Sequence, residues 1–303
     1  MKQPRILSLG EVLWDLFPDG ERFGGAPANV ACHAAMLGGN VSIVSAVGND
    51  QRGQKAIGIL QAFGIDTSLI KTVPDTATGT VGVEMKADGS HRFTIHEDSS
   101  WDQLAWTPQL AAEIKSADAV YFGTLSQRGE FARSQIRRAL DDAKSAGVLR
   151  ILDINLRKPY FDSQLIRDSI ALASVLKVSV EELDAVAQAC EIALDGGAVT
   201  ILRALVERFD LQAAVMTRGA EGALFVTAKT SIEQPGIPAE VVDTVGAGDS
   251  FTAVLVVGLL RGEAVRTVLQ RACEVASAVC SQPGAIPEIS EIPEAIESHL
   301  QNI

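Results

Sequence analysis

Val41-Ser42-Ile43-Val44-Ser45-Ala46-Val47 is an uncharged, β-type run between two helix-type stretches, 28–37 and 53–63. A continuous apolar strand of this kind suits a sheet covered on both faces rather than one with a wet side. Outward from it the alternation persists. Strands are expected at 6–9, 119–123, 150–154, 175–178 and 213–217, and helices at 130–146, 180–189, 197–209, 249–261 and 264–281. Short strands alternating with helices imply parallel strands joined by crossover helices, hence an α/β protein with a three-layer α/β/α body and a mostly parallel central sheet.

One region breaks the alternation. Residues 79–84 and 91–96 read as two strands around Ala87-Asp88-Gly89-Ser90, a turn-rich sequence. The period-2 pattern of Val81, Val83 and Met85 against Gly82, Glu84 and Lys86 predicts an antiparallel flap covered on one face. Residues 12–23 can add further strands, which gives a small β-sheet lid drawn from about 12–23 and 78–100 beside the sheet. No internal repeat, linker or low-complexity tract is evident, and 1–303 reads as a single domain.

At 303 residues, 47% hydrophobic and 21% charged, the chain has the composition of a globular protein with a sizeable core. Its 26 Lys and Arg against 38 Asp and Glu leave a net charge of −12, which argues against nucleic acid as a partner. Anionic small molecules stay open, because backbone N–H groups and a few local cations can outweigh the net field in one cleft. Cys32, Cys190, Cys273 and Cys280 form no C-x-x-C pair, and His33, His91, His96 and His299 no H-x-x-x-H. Cys273 and Cys280, on one expected helix, are separated by about 10 Å of rise, too far for a disulfide. The apolar run 251–260 is too short to span a bilayer, so no membrane association is expected and the default compartment is the cytoplasm.

Asp243-Thr244-Val245-Gly246-Ala247-Gly248-Asp249 carries the clearest chemistry. Glycines at a helix start leave backbone N–H groups open to an anion, and the helix dipole adds to the attraction. A carboxylate in the same turn repels a phosphate. Asp249 fits better as a base that takes a proton from an attacking hydroxyl, which points to phosphoryl transfer to an alcohol. Taken alone, the pattern reads more simply as a glycine turn with an acid at a helix N-terminus. A second cluster, Gly24-Gly25-Ala26-Pro27-Ala28-Asn29-Val30-Ala31, opens another apolar helix. Its glycines allow close backbone approach, and the Asn29 amide can both donate to and accept from sugar hydroxyls. A capped helix after a tight turn is the plainer reading of that segment.

The two clusters together, in this order, resemble the signature regions of the ribokinase-like, or PfkB, family of carbohydrate kinases, over nearly the whole chain. Gly-Gly-Ala-Pro-Ala-Asn-Val-Ala, preceded by Gly10-Glu11 and Asp15, resembles the fructokinase branch. The resemblance implies Asp249 as catalytic base, with the N–H groups of Gly246, Ala247 and Gly248 as the anion hole. It implies Asp15, Gly24, Gly25 and Asn29 as sugar-binding positions. On the nucleotide side, Thr217-Arg218-Gly219-Ala220-Glu221-Gly222 is similar to the family's T-x-G-x-x-G loop, which makes Thr217, Arg218, Gly219 and Gly222 candidates. Asp153-Ile154-Asn155-Leu156-Arg157 resembles a D-x-N-x-R segment whose Arg157 would neutralise phosphate charge. Lys177-Val178-Ser179-Val180-Glu181-Glu182 stands where the family has N-x-x-E, which makes Lys177 and Glu182 nucleotide-side candidates, with Glu182 organising Mg²⁺ through water. Backbone carbonyls around Asp243 and Val245 are candidates for a K⁺ site. The chain departs from the pattern at Ser179, usually Asn, and at Glu97, where fructokinases often place Arg; Arg92, five residues earlier on the expected strand, is the candidate substitute, although strand alternation points it to the other face. Trp14, Trp101 and Trp106 are expected to pack the lid or its junction, with Trp14 also a candidate for the sugar pocket. His33 and His96 are expected to be structural.

The resulting expectation is an ATP- and Mg²⁺-dependent sugar kinase, with fructose the first candidate acceptor and K⁺ a further ion. 2-Keto-3-deoxygluconate, ribose or a nucleoside is the alternative acceptor, and a non-catalytic sugar or nucleotide sensor the alternative class. Exposed lid strands offer edges for a homodimer.

Overall fold

The computed structural model describes residues 3–85 and 91–286; the turn expected at 87–90, the side chain of Arg92 and His299 lie outside the described residues. The chain opens with β1 (Arg5–Leu9), β2 (Leu13–Phe17) and β3 (Gly20–Gly24), followed by α1 (Ala26–Met36), β4 (Asn40–Gly48), α2 (Gln51–Ala62) and β5 (Ile70–Val73). Then come β6 (Gly79–Met85), β7 (His91–Ile95), α3 (Pro108–Ser116), β8 (Ala119–Phe122) and α4 (Glu130–Ser145). The next elements are β9 (Leu149–Asp153), α5 (Ser163–Leu172), β10 (Val175–Ser179), α6 (Val180–Ala189) and α7 (Gly197–Phe209). Last are β11 (Ala213–Thr217), β12 (Ala223–Val226), β13 (Ser231–Gln234), α8 (Ala247–Leu260) and α9 (Val265–Cys280).

Nine strands form one sheet in the order β13-β12-β11-β10-β9-β8-β1-β4-β5, parallel except where β12 joins its neighbours. Strand alternation divides its side chains between two cores. Leu7, Val120, Leu152, Leu176 and Ala214 meet α3 to α7, whereas Ile6, Tyr121, Ile151, Val175 and Val215 meet α1, α2, α8 and α9. The three layers follow from that division. Period two also carries Asp153 and Lys177, at the carboxyl ends of β9 and β10, to the α8 side, where they are register partners.

Four strands form a second, smaller sheet in the order β3-β2-β6-β7, with β2 parallel to β6 and the other pairs antiparallel. Its register aligns Asp15 with Val81 and Val81 with Ile95, so these side chains share one face. Leu13, Val81, Ile95, Trp101 and Leu125 join it to the body, with Tyr160 against them.

Three strands, β5, β12 and β13, and two helices, α3 and α5, go beyond the sequence expectation. Both helices begin at a capping residue: Thr107 Oγ1 accepts from Leu110 N at 3.1 Å, and Asp162 Oδ1 from Leu165 N at 2.7 Å.

Candidate active site

β1 lies between β4, which follows it through α1, and β8, which comes much later in the chain. Where strand order reverses in this way, the loops at the carboxyl ends part and leave a crevice. A cavity of about 310 Å³ opens there beneath the small sheet, lined by Glu11, Asp15, Gly25, Asn29, Asp153, Asn155, Arg157, Lys177, Gly246, Gly248 and Asp249. Val81, Phe93 and Ile95 complete its wall from the small sheet.

Asp249 stands in the first turn of α8. The first close backbone bond of that helix runs from Ser250 N to Gly246 O, 2.8 Å, while Ala247 N reaches Thr244 O only at 3.4 Å, which leaves the N–H groups at the helix start weakly engaged by the chain itself. Asn29 Nδ2 donates to Asp249 Oδ2 at 2.8 Å, across 220 residues of sequence. The same amide keeps its Oδ1 buried without a partner. Burial raises the Asp249 carboxyl to about 7; the Asn29 bond opposes this, the Asp153 charge adds to it, and Lys177 and Arg157 pull it back. Gly246 adopts φ +81°, and a Cβ there would meet the Ala285 backbone at 2.5 Å, so glycine is required by both conformation and space.

On β2, burial pushes Asp15 up to about 6, with the charges of Arg157 and Arg22 pulling it down and that of Asp243 adding to the rise. Gly25, φ +105°, passes so close to Glu11 that a Cβ would lie 2.5 Å from its carbonyl oxygen. Gly24 does not line the cavity; it sits at the end of β3, beside the Asp15 carboxyl. Trp14 points to the opposite face of β2, where its Nε1 donates to Arg52 O at 3.2 Å and its ring meets Phe23 edge-on. It packs the base of the sheet and is not among the cavity's lining residues. Trp101 is fully buried in the junction, and Trp106 donates to Asp142 Oδ2 at 2.7 Å.

Four further groups line or brace this site, of which the sequence reading singled out only Lys177, as a nucleotide-side candidate. Lys177 Nζ lies 3.2 and 3.1 Å from the two oxygens of Asp153, and Thr252 Oγ1 donates to Asp153 Oδ2 at 3.2 Å. The Lys177 side chain is 8% exposed and that of Asp153 1%. Burial works against both charges; Asp153, Glu182 and Asp249 nonetheless keep Lys177 protonated. The strand parity of Asp153 and Lys177 was the available signal, since two charges on one covered face of adjacent central strands have to pair. Glu11 is the fourth, buried at the cavity wall with Ser126 Oγ donating to its carboxylate. Burial raises its pKa, opposed by that bond.

The nucleotide-side candidates sit on the same rim. β10 and β11 are in register at Ser179 and Thr217, which puts the 217–222 loop two strands from Asp153 and outside the lining of the cavity. Arg218 Nη1 pairs with Glu233 Oε1 at 2.7 Å, and Arg218 N donates to Gly222 O at 2.8 Å. Glu182 accepts from Ser179 N at 2.8 Å and from Leu156 N at 2.6 Å. The serine that replaces the family's asparagine thus sits in a Ser-x-x-Glu capping box, and Glu182 ties the loop bearing Asn155 and Arg157 to α6. Asp243 braces its own loop, accepting from Val245 N at 3.0 Å and Gly284 N at 3.1 Å. Glu97 is exposed and outside the cavity lining, and His96, on the same strand end, shares a 2.6 Å bond with Thr80 Oγ1.

Against known proteins, the profile of the pfkB family carbohydrate kinase matches residues 18–292. The chain belongs to that family. As a carbohydrate kinase it is a phosphotransferase. A fructokinase of Solanum tuberosum is 30% identical over 311 residues, covering 96% of this kinase and 94% of the relative. An uncharacterized sugar kinase of Pyrococcus horikoshii, solved in complex with ATP, is 27% identical with a TM-score of 0.79, covering 95% and 97% of the two chains. A fructokinase of Vibrio cholerae, solved with fructose, ADP and calcium, shares the fold at TM-score 0.79 and 24% identity, covering 98% and 99%. Among the described residues the kinase has no helix long and apolar enough to cross a membrane.

Proposed function

We propose that this kinase is a fructokinase that transfers the γ-phosphoryl group of MgATP to a primary hydroxyl of fructose. The observation that carries the reading is Asp249: a carboxyl at about 7, fixed by Asn29, in the first turn of a glycine-led helix and open to a cavity of sugar size. A base needs a pKa near working pH, and a transferring phosphoryl group needs N–H donors beside it. Ionised Asp249 accepts the proton as the hydroxyl oxygen attacks phosphorus in line. The N–H groups of Gly246, Ala247 and Gly248 take up charge on the phosphoryl oxygens. Asp15 and Asn29 orient the sugar hydroxyls, Gly25 gives them room at the cavity wall, Gly24 leaves space for the Asp15 carboxyl, and the small sheet acts as a lid that excludes water, the competing nucleophile.

ATP lies along the rim from the α8 turn toward Thr217, Arg218, Gly219 and Gly222, with Lys177 and Arg157 supplying positive charge. Mg²⁺ enters as part of the substrate. Both Glu182 oxygens already accept backbone N–H groups, so Glu182 would meet Mg²⁺ through water. K⁺ at the carbonyls of Asp243 and Val245 is part of the proposal, tested by exchanging K⁺ for Na⁺.

Arg157 at the cavity favours one second reading, a sugar acid such as 2-keto-3-deoxygluconate, whose carboxylate it would pair. ADP release from MgATP decides between them, measured over fructose, 2-keto-3-deoxygluconate, ribose, adenosine and a no-sugar blank. Fructose-dependent turnover is expected. A strong preference for the sugar acid would overturn the fructose assignment, and silence with every acceptor would overturn both.

A further inference from the structure

His33 lies one helical turn beyond Asn29 on α1, so the two side chains share a face and both look toward the start of α8. Asn29 holds Asp249. His33 Nε2 lies 2.9 Å from Ala285 O, and since a carbonyl can only accept, Nε2 carries the proton. Ala285 is the residue against which Gly246 is packed, at the contact that excludes any Cβ. In the same segment Gly284 N donates to Asp243, whose other oxygen holds Val245 N. The chain after α9 therefore backs the glycine turn, and His33 is the α1 side chain that holds it there. The imidazole is buried, and burial lowers its pKa to about 4 against the bond to Ala285, so it is neutral at working pH.

We propose that His33 is a positioning residue for phosphoryl transfer: through Ala285 it fixes the 246–248 turn relative to Asp249, so that α1 sets base and anion hole as one unit. The proposal rests on the reading of that turn as the anion hole. Its effect falls on the chemical step, because the turn supports charge that develops during transfer, whereas Asp15 and Asn29 are untouched.

Gln and Met have nearly the same shape, and only Gln donates a hydrogen bond, so His33→Gln and His33→Met isolate the N–H. In ADP-release kinetics with fructose, or with whichever acceptor the panel finds active, His33→Met is expected to lower kcat about tenfold with the sugar KM within about twofold. His33→Gln is expected to recover most of that loss. Equal kcat in the two variants overturns the proposal, as does a loss confined to thermal stability. In the unmodified protein, ¹⁵N spectra of the histidine rings are expected to show His33 as the Nε2–H tautomer. An Nδ1–H tautomer overturns the proposal without any variant. Asp249→Asn, run alongside, separates the two levels: full turnover in that variant defeats the reading of the site itself, whatever His33 does.

Discussion

In the proposed mechanism Asp249 is the base, and its titration is measurable. The proton must be off for the carboxylate to act as base, so kcat/KM should fall with a slope of one as pH drops through about 7. Asn29 stabilises the ionised form, so Asn29→Ala should move that acidic limb to higher pH; a limb that stays put would detach Asn29 from the base. Replacing Asp249 by Ala should lower kcat by about 10²–10⁴ with the KM for ATP nearly unchanged. The same shift bears on stability. The folded protein holds this proton more tightly than the unfolded chain does, so the carboxyl's favourable contribution is complete below its ordinary value of 3.8 and is lost as pH rises through about 7. Asp249→Asn should therefore raise the thermal midpoint at pH 8 and change it much less at pH 4. Lys177 gives the opposite kind of variant. Lys177→Met would leave Asp153 buried without its cation, at a cost of about 3–5 kcal/mol in denaturant unfolding, and adding Asp153→Asn should return much of it. Asp15, Gly25, Asn29 and Asp249, which line the cavity, were singled out in the sequence because the 24–31 and 243–249 segments resemble family signatures, with Asp15 ahead of the first. The Asp153–Lys177 pair was not, since parity puts each on a covered face but the register that makes them partners is written in neither strand.

At the scale of elements, legibility followed the length and polarity of the run. β11, α6 and α7 have the same bounds in sequence and structure, each being a strongly apolar-periodic stretch between clear breaks. α3 and α5 are nine and ten residues long, and their start signals, Thr107 before Pro108 and Asp162 before Ser163, are short polar steps inside what reads as loop. β13 is an edge strand of polar and half-buried residues, and only pairing with β12 makes it a strand. The capping box of α6 offers a test here. Glu182→Ala should cost about 1 kcal/mol as a lost cap. It should also free the loop that carries Arg157, raising the KM for ATP; a stability loss with unchanged KM would confine Glu182 to capping.

For the molecule as a whole, the relation between the two sheets sets the behaviour. Tyr160, on the loop after β9, donates from its hydroxyl to Ile95 O at 3.1 Å and so ties the small sheet to the loop that bears Arg157. Tyr160→Phe removes about 1 kcal/mol of net bonding and should raise the sugar KM about fivefold with little change in kcat. β3 and β7 are the edges of the small sheet, and strand edges invite pairing. A homodimer formed there would double the mass in light scattering, and a monomer across working concentrations would remove that reading. The bond between Asn29 and Asp249 has a different consequence, one of time during synthesis. The base emerges 220 residues after the amide that holds it, which at ribosomal speeds is about 11–44 s. Through that interval α1 can already pack on β1 and β4, but Asn29 has no carboxylate to hold, so on the proposed mechanism the nascent chain carries half of a site and turns over no substrate until α8 has left the ribosome.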